Sequence, residues 1–155
     1  MDIQPWQQPD IVEHSRLLND SFHHWTGRTL LEEVVPKEAL ARALYQASFV
    51  LVSHGIEADP LFNYANRAAQ GLWELDWEGF VGLPSRRSAE DQAQSDRTAA
   101  LSSALSQGWM EGYSGIRIAA GGQRFRIYDG VIWNLLDTHG VMRGQAATFS
   151  RWEFI

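Results

Sequence analysis

At 155 residues with a formal net charge of −6, the chain has the length of one domain, and its scattered arginines cannot track a phosphate backbone by counterion release. The absence of cysteine excludes disulfides, thiolate metal sites and a thiol nucleophile. No charged-then-apolar leader and no apolar run near the ~20 residues that cross a bilayer occur, so a cytoplasmic protein without membrane contact is expected.

Residues 1–9, with two prolines and no periodicity, read as a loose lead-in. From Asp10, placed as N-cap, the apolar or aromatic positions Ile11, His14, Leu17, Leu18, Phe22 and Trp25 recur at helical spacing, and Gly27 stops the run. A second short helix follows Pro36, carrying Ala39, Leu40, Ala43 and Leu44. Residues 1–46 thus form an N-terminal helical extension to a core over 47–155, all in one domain. Ser48 to Ser53 is apolar and β-branched without alternation, which predicts a strand covered on both faces, ended by His54-Gly55.

Leu61 to Ala65 predicts a second strand, and Asn66 stands directly before Arg67-Ala68-Ala69-Gln70, residues that favour helix. An asparagine there accepts a bond from an otherwise unpaired amide of the first turn. Leu72, Trp73, Leu75, Trp77 and Phe80 then form short helical turns, which Gly82-Leu83-Pro84 ends. Ser88 is read as the cap of a long helix to Gln107, with Ala93, Arg97, Ala100, Leu101, Ala104 and Leu105 along its buried stripe. Three alternating strands follow, Trp109–Ala119, Arg124–Leu136 and Val141–Trp152, the first two joined at Gly121-Gly122. Simple alternation puts Trp109 beside Tyr113 and Arg117, Phe125 and Ile127 beside Val131, Trp133 and Leu135, and Trp152 opposite Phe149. The predicted class is α+β: a five-stranded antiparallel sheet with a helical insert between strands 2 and 3 and extra N-terminal helices.

The order strand, YANRAA, short helices, FVGLP resembles the signature of PAS sensor domains, in which an asparagine opens the helix after the second strand. The stretches SHGIEADPLFNYANRAAQGLWELDWEGFVGLPSRRSAE and RIAAGGQRFRIYDGVIWNLLDTHGVMRGQAATFSRW resemble more closely the MEKHLA domain, a PAS-like module. That family occurs as stand-alone bacterial proteins and at the C-terminus of plant class III homeodomain-leucine zipper transcription factors. The resemblance implies a non-catalytic sensory or regulatory domain that binds a small molecule or a protein partner in signal transduction. It also implies a homodimer through the N-terminal helix, while the net charge of −6 argues against nucleic-acid contact.

A ligand is expected between the long helix and the inner face of the last three strands. Tyr113, Trp133, Asn134 and Gln145 are the candidate ligand-binding side chains, because aromatic rings can sandwich a flat ligand while amides bond its edge. The competing reading makes Trp133 core and lets Asn134 and Gln145 satisfy backbone groups. Without cysteine no chromophore can be linked through sulfur, while non-covalent flavin and histidine-bound haem stay open. His54 and His139 are read as turn residues and His14, His23 and His24 as residues of the first helix, all structural or solvated. No metal-binding spacing occurs and no catalytic residue is assigned. The alternative function is a small α+β cone-shaped enzyme of the isomerase or dehydratase type, which requires an acid and a histidine in one pocket.

Overall fold

The computed structural model describes residues 3–155, with Asp91 and Gln92 described by backbone only. Met1 and Asp2 of the expected lead-in lie outside the described residues. The rest of that lead-in is ordered: Pro5–Gln7 makes a 3₁₀ turn, and Pro9, whose missing N–H costs nothing at a helix start, opens α1 (Pro9–Thr26). Asp10 therefore lies inside the first turn, and Gln8 holds the N-cap position. Gly27 ends the helix in the left-handed conformation, as its position predicts.

After α2 (Leu40–Tyr45) come β1 (Val50–His54), β2 (Phe62–Ala65), α3 (Arg67–Trp73), α4 (Trp77–Phe80), α5 (Asp91–Gln107), β3 (Trp109–Ile118), β4 (Arg124–Leu136), β5 (Met142–Phe149) and β6 (Arg151–Phe154). The sheet runs β2-β1-β5-β4-β3 with every pairing antiparallel, and β6 continues the line of β5 along β4. All five residues of β1, which lies between β2 and β5, are buried, which matches the strand covered on both faces. The predicted cap Ser88 belongs instead to a 3₁₀ turn, Ser85–Ser88, where its hydroxyl donates to the Ser85 carbonyl. Helix α5 starts after Glu90.

Two cores flank the sheet. The inner one joins α3, α4 and α5 to Val50, Val52, Phe62, Phe125, Ile127, Ile132 and Phe149. The outer one packs α1 and α2 against Leu51, Tyr64, Val131, Trp133, Leu135 and Ala146. Trp133 is fully buried there, edge-on to Phe22 at 4.9 Å between ring centroids.

Alternation along the strands breaks at three bends. Gly112 has φ 72° and separates outward Trp109 from inward Tyr113 and Arg117. Asp129 has φ 54°, and opposite it Ser150 interrupts the line from β5 to β6. Consequently Phe125 and Ile127 share the inner face with Ile132, not with Trp133, and Trp152 rejoins Phe149 on that face. A bend that takes one residue out of the pleat reverses every side chain beyond it.

Gly108, at the corner between α5 and β3, has φ 93°, and a Cβ there would be driven into the Trp25 ring. That ring is pinned by its Nε1–H donating to the Asn134 carbonyl at 2.8 Å. Gly108→Ala combines backbone strain with overpacking and is expected to lower stability by about 2 kcal/mol. Urea unfolding followed by tryptophan fluorescence checks this, and a change under 0.5 kcal/mol, roughly the scatter of surface substitutions, would refute the packing argument.

Candidate functional site

Beneath α5, the inner face of β1, β3, β4 and β5 lines a narrow cavity of about 60 Å³. Val52, Phe62, Trp73, Leu101, Ile127, Ile132 and Phe149 supply apolar wall, and His54, Ser88, Arg97, Tyr113, Arg117 and Thr148, whose hydroxyl is committed to the Val50 carbonyl, supply polar groups. A larger depression of about 770 Å³ runs between α1 and the β4–β5 turn. Two of its arginines are already paired there, Arg16 with Glu13 and Arg143 with Asp137, and its form is an open groove. The cavity under α5 has the greater capacity to select a ligand, because its polar lining residues are buried and charge acts most strongly away from water.

Two guanidiniums face this cavity with little exposure, 9% for Arg97 and 7% for Arg117. Arg97 comes from the α5 stripe, and its Nη2 donates to the Ser85 hydroxyl. Arg117 reaches in from β3; its Nη2 donates to the Tyr113 hydroxyl at 2.8 Å and its Nη1 to the Ile116 carbonyl at 3.0 Å. Among the described residues, neither arginine has a carboxylate within ion-pair distance, whereas six exposed or half-exposed arginines elsewhere do. Burial, and next the neighbouring Arg117, push the Arg97 pKa down to about 10. A buried cation without a counter-ion carries a desolvation penalty of several kcal/mol, so two in one cavity are an unusual expense in a fold of ordinary stability.

His54 is the second departure from expectation. It is not a solvated turn residue: β1 runs one residue further, His54 pairs with Gln145 and Phe62, and the inward phase of Val50 and Val52 carries its ring into the cavity. His54 Nδ1 lies 2.9 Å from the Gly55 carbonyl. A carbonyl only accepts, so Nδ1 bears the proton, and Nε2 is left as a buried acceptor without a partner. Burial lowers the His54 pKa, which keeps the ring neutral. His139 is exposed in the β4–β5 turn, and His14 faces the outer core, where its Nε2 lies 2.8 Å from the Ser53 hydroxyl.

Of the four side chains singled out from sequence, Tyr113 lines the cavity. Trp133 does not: the bend at Asp129 turns it to the outer face, against α1. Asn134 and Gln145 lie on the inner face but below the C-terminal half of α5, bonded to each other at 3.1 Å. Gln145 donates to the Leu101 carbonyl at 3.0 Å and Asn134 to the Leu105 carbonyl at 3.2 Å, so the pair clamps α5 to the sheet. Arg97 and Arg117 were readable as inward positions, one in the α5 stripe and one in phase with Tyr113. Their importance was hidden because arginine at a buried position is improbable on composition alone. No carboxylate lines the cavity among the described residues, so the acid–histidine pair required by the cone-shaped enzyme is not formed there.

The fold is that of PAS and LOV domains. It resembles a PAS domain of a protein from Colwellia psychrerythraea with TM-score 0.62 and 16% identity, over 74% of this chain and 92% of that one. It also resembles the LOV domain of the Erythrobacter litoralis EL346 blue-light-activated histidine kinase with TM-score 0.57 and 18% identity, over 71% and 98%. An RNA-binding light-oxygen-voltage receptor gives TM-score 0.62 and 17% identity, over 79% of this chain and 35% of that one. None of the curated proteins matches the chain. Within this class the chain belongs to the MEKHLA domain family, whose model matches residues 12–154. Among the described residues no helix is long and apolar enough to cross a membrane.

A non-covalent flavin, left open by the sequence, does not fit the cavity. Its volume of about 60 Å³ is far below the ~300–1,000 Å³ of sites that enclose ligands of that size. The same disparity applies to haem, although His54 Nε2 offers a lone pair. The chain also lacks the thiol that a cysteine adduct requires.

Proposed function

We propose that this chain is a non-catalytic sensory domain that takes a small molecule into the cavity under α5 and reports its presence through α1. The observation that carries this reading is the narrow cavity lined, among the described residues, by two buried guanidiniums without carboxylate partners and a histidine nitrogen without a donor. Tyr113 and the arginines would touch the ligand, and Asn134 with Gln145 would hold α5 in place above it. Trp133 would act as a relay: it alternates along β4 with cavity-lining Ile132 and carries the Phe22 ring of α1 on the other face.

A ligand shifts a conformational equilibrium only by its differential affinity for two states, so its arrival must alter packing around the cavity. Trp73 and Ser88 both line it, and the segment between them is built of short turns tied by backbone bonds to Pro60, Phe62 and Ala120, so a change in the cavity wall reaches those bonds. Amide exchange over 72–88 is therefore expected to slow on loading, with a smaller change in α1. Identical exchange across a screen of small metabolites would count against the sensor reading. Action in the cytoplasm, on a protein partner and as a homodimer through α1, completes the proposal, and the mass in solution tests the dimer.

A further inference from the structure

The geometry points to a short hydroxycarboxylate as the ligand of this cavity, its carboxylate held by Arg97 and Arg117 and its hydroxyl donating to His54 Nε2. This rests on the sensor reading above and adds the chemical class. Among the described residues the two arginines retain unused N–H donors: Arg97 makes one hydrogen bond, to Ser85, and Arg117 two, to Tyr113 and Ile116. Planar guanidinium forks match a carboxylate in direction as well as charge. His54 Nε2 has the opposite need. Its residue is 8% exposed, its Nδ1 is committed to Gly55, and its lone pair requires a donor that a bare anion cannot supply. A ligand that satisfies both demands is acidic at one end and carries an O–H.

Size and wall set the rest. The cavity, at about 60 Å³, has less than half of the ~150 Å³ that accepts a benzene ring, which limits the acid to about three or four carbons. Phe149, Ile127 and Ile132 give the carbon skeleton apolar wall. Inorganic phosphate would meet the arginines and, through a P–OH, could donate to Nε2, but it leaves that apolar wall unmatched.

Titration calorimetry on the full chain at constant ionic strength in chloride, with sodium L- and D-lactate, propionate, lactamide and inorganic phosphate as probes, tests this. Saturable binding of one lactate enantiomer is expected, several-fold weaker binding of propionate and none of lactamide. Arg97→Met and Arg117→Met should each weaken lactate at least tenfold, and His54→Leu should erase the preference for lactate over propionate. The Asp137 variant Asp137→Asn, remote from the cavity, should bind as the parent does. Lactamide binding as well as lactate would overturn the acid while leaving a ligand cavity in place. Phosphate binding without lactate would overturn the carboxylate. Failure of every probe to bind, together with unchanged amide exchange over 72–88 in a broad metabolite screen, would remove the sensor reading as well. If an arginine variant does not fold, the contrast between lactate and lactamide on the parent chain decides the question alone.

Discussion

Asn66→Ala is expected to lose about 4 kcal/mol of folding stability, a large part of the 5–15 kcal/mol that holds a typical domain. Asn66 is fully buried, and its amide serves four backbone groups from four segments. Oδ1 accepts from Leu51 N at 3.0 Å in β1 and from Ala69 N at 3.2 Å in the first turn of α3. Nδ2 donates to the Leu44 carbonyl at 3.1 Å in α2 and to the Phe49 carbonyl at 2.8 Å ahead of β1. Two donors on one side and two acceptors on the other fix the amide's orientation. Removal leaves those groups unpaired where water cannot replace the amide, at roughly 1 kcal/mol or more each. Asn66→Asp keeps the acceptors but sets a carboxylate against two carbonyls, so its loss should grow as pH rises and the carboxyl ionises. Urea unfolding measures both; a deficit below 1 kcal/mol for Asn66→Ala would show that this junction is not where the fold is joined.

The second large effect is acid instability between pH 6.5 and 4, which sets in well above the range where carboxylates titrate. Burial lowers the His14 pKa from 6.5 to about 4, and burial also lowers that of His54. In the unfolded chain both rings take up a proton near pH 6.5, whereas the folded protein refuses it. The unfolded state therefore holds more protons in this window, and stability, complete above pH 6.5, falls as pH falls toward 4. For His14 the difference amounts to about 3 kcal/mol, with a further loss from His54. Unfolding free energies at pH 7.5, 5.5 and 4.5 should show this slope. His14→Gln, which keeps a group able to bond Ser53, should flatten it; an unaltered slope in that variant would assign the acid loss elsewhere.

Much of this architecture was readable from local chemistry. The strand before Asn66, the cap itself, the short bulky turns and the Gly27 stop follow from residue type and spacing, because each depends on neighbours within a few positions. Only the Ala69 bond of Asn66 was readable in that way. The bonds to Leu44, Phe49 and Leu51 depend on tertiary placement that no spacing encodes. The faces of β3 and β4 were misread for a related reason. Period-two alternation assumes an unbroken pleat, and the left-handed residues at Gly112 and Asp129 break it. Glycine advertises such a bend and aspartate hardly does, so Trp133 was assigned to the wrong core while Tyr113, beyond the glycine, stayed in phase with Arg117. His54 was misplaced by a single residue at a strand end, where boundaries are least defined. That residue separates a solvent-facing ring from one inside the cavity.

The paired bend at Asp129 and Ser150 also constrains how this molecule can vary. Both residues are exposed, and by that criterion the spot resembles a loop tip that tolerates insertion. Yet a codon added or lost on one strand alone would exchange indoors for outdoors along half of it, throwing Trp133 and Leu135 toward the cavity under α5 or Phe125 and Ile127 away from it. At this place the chain can accept a different letter but not a different count, and its lineage should preserve spacing there even where it abandons identity.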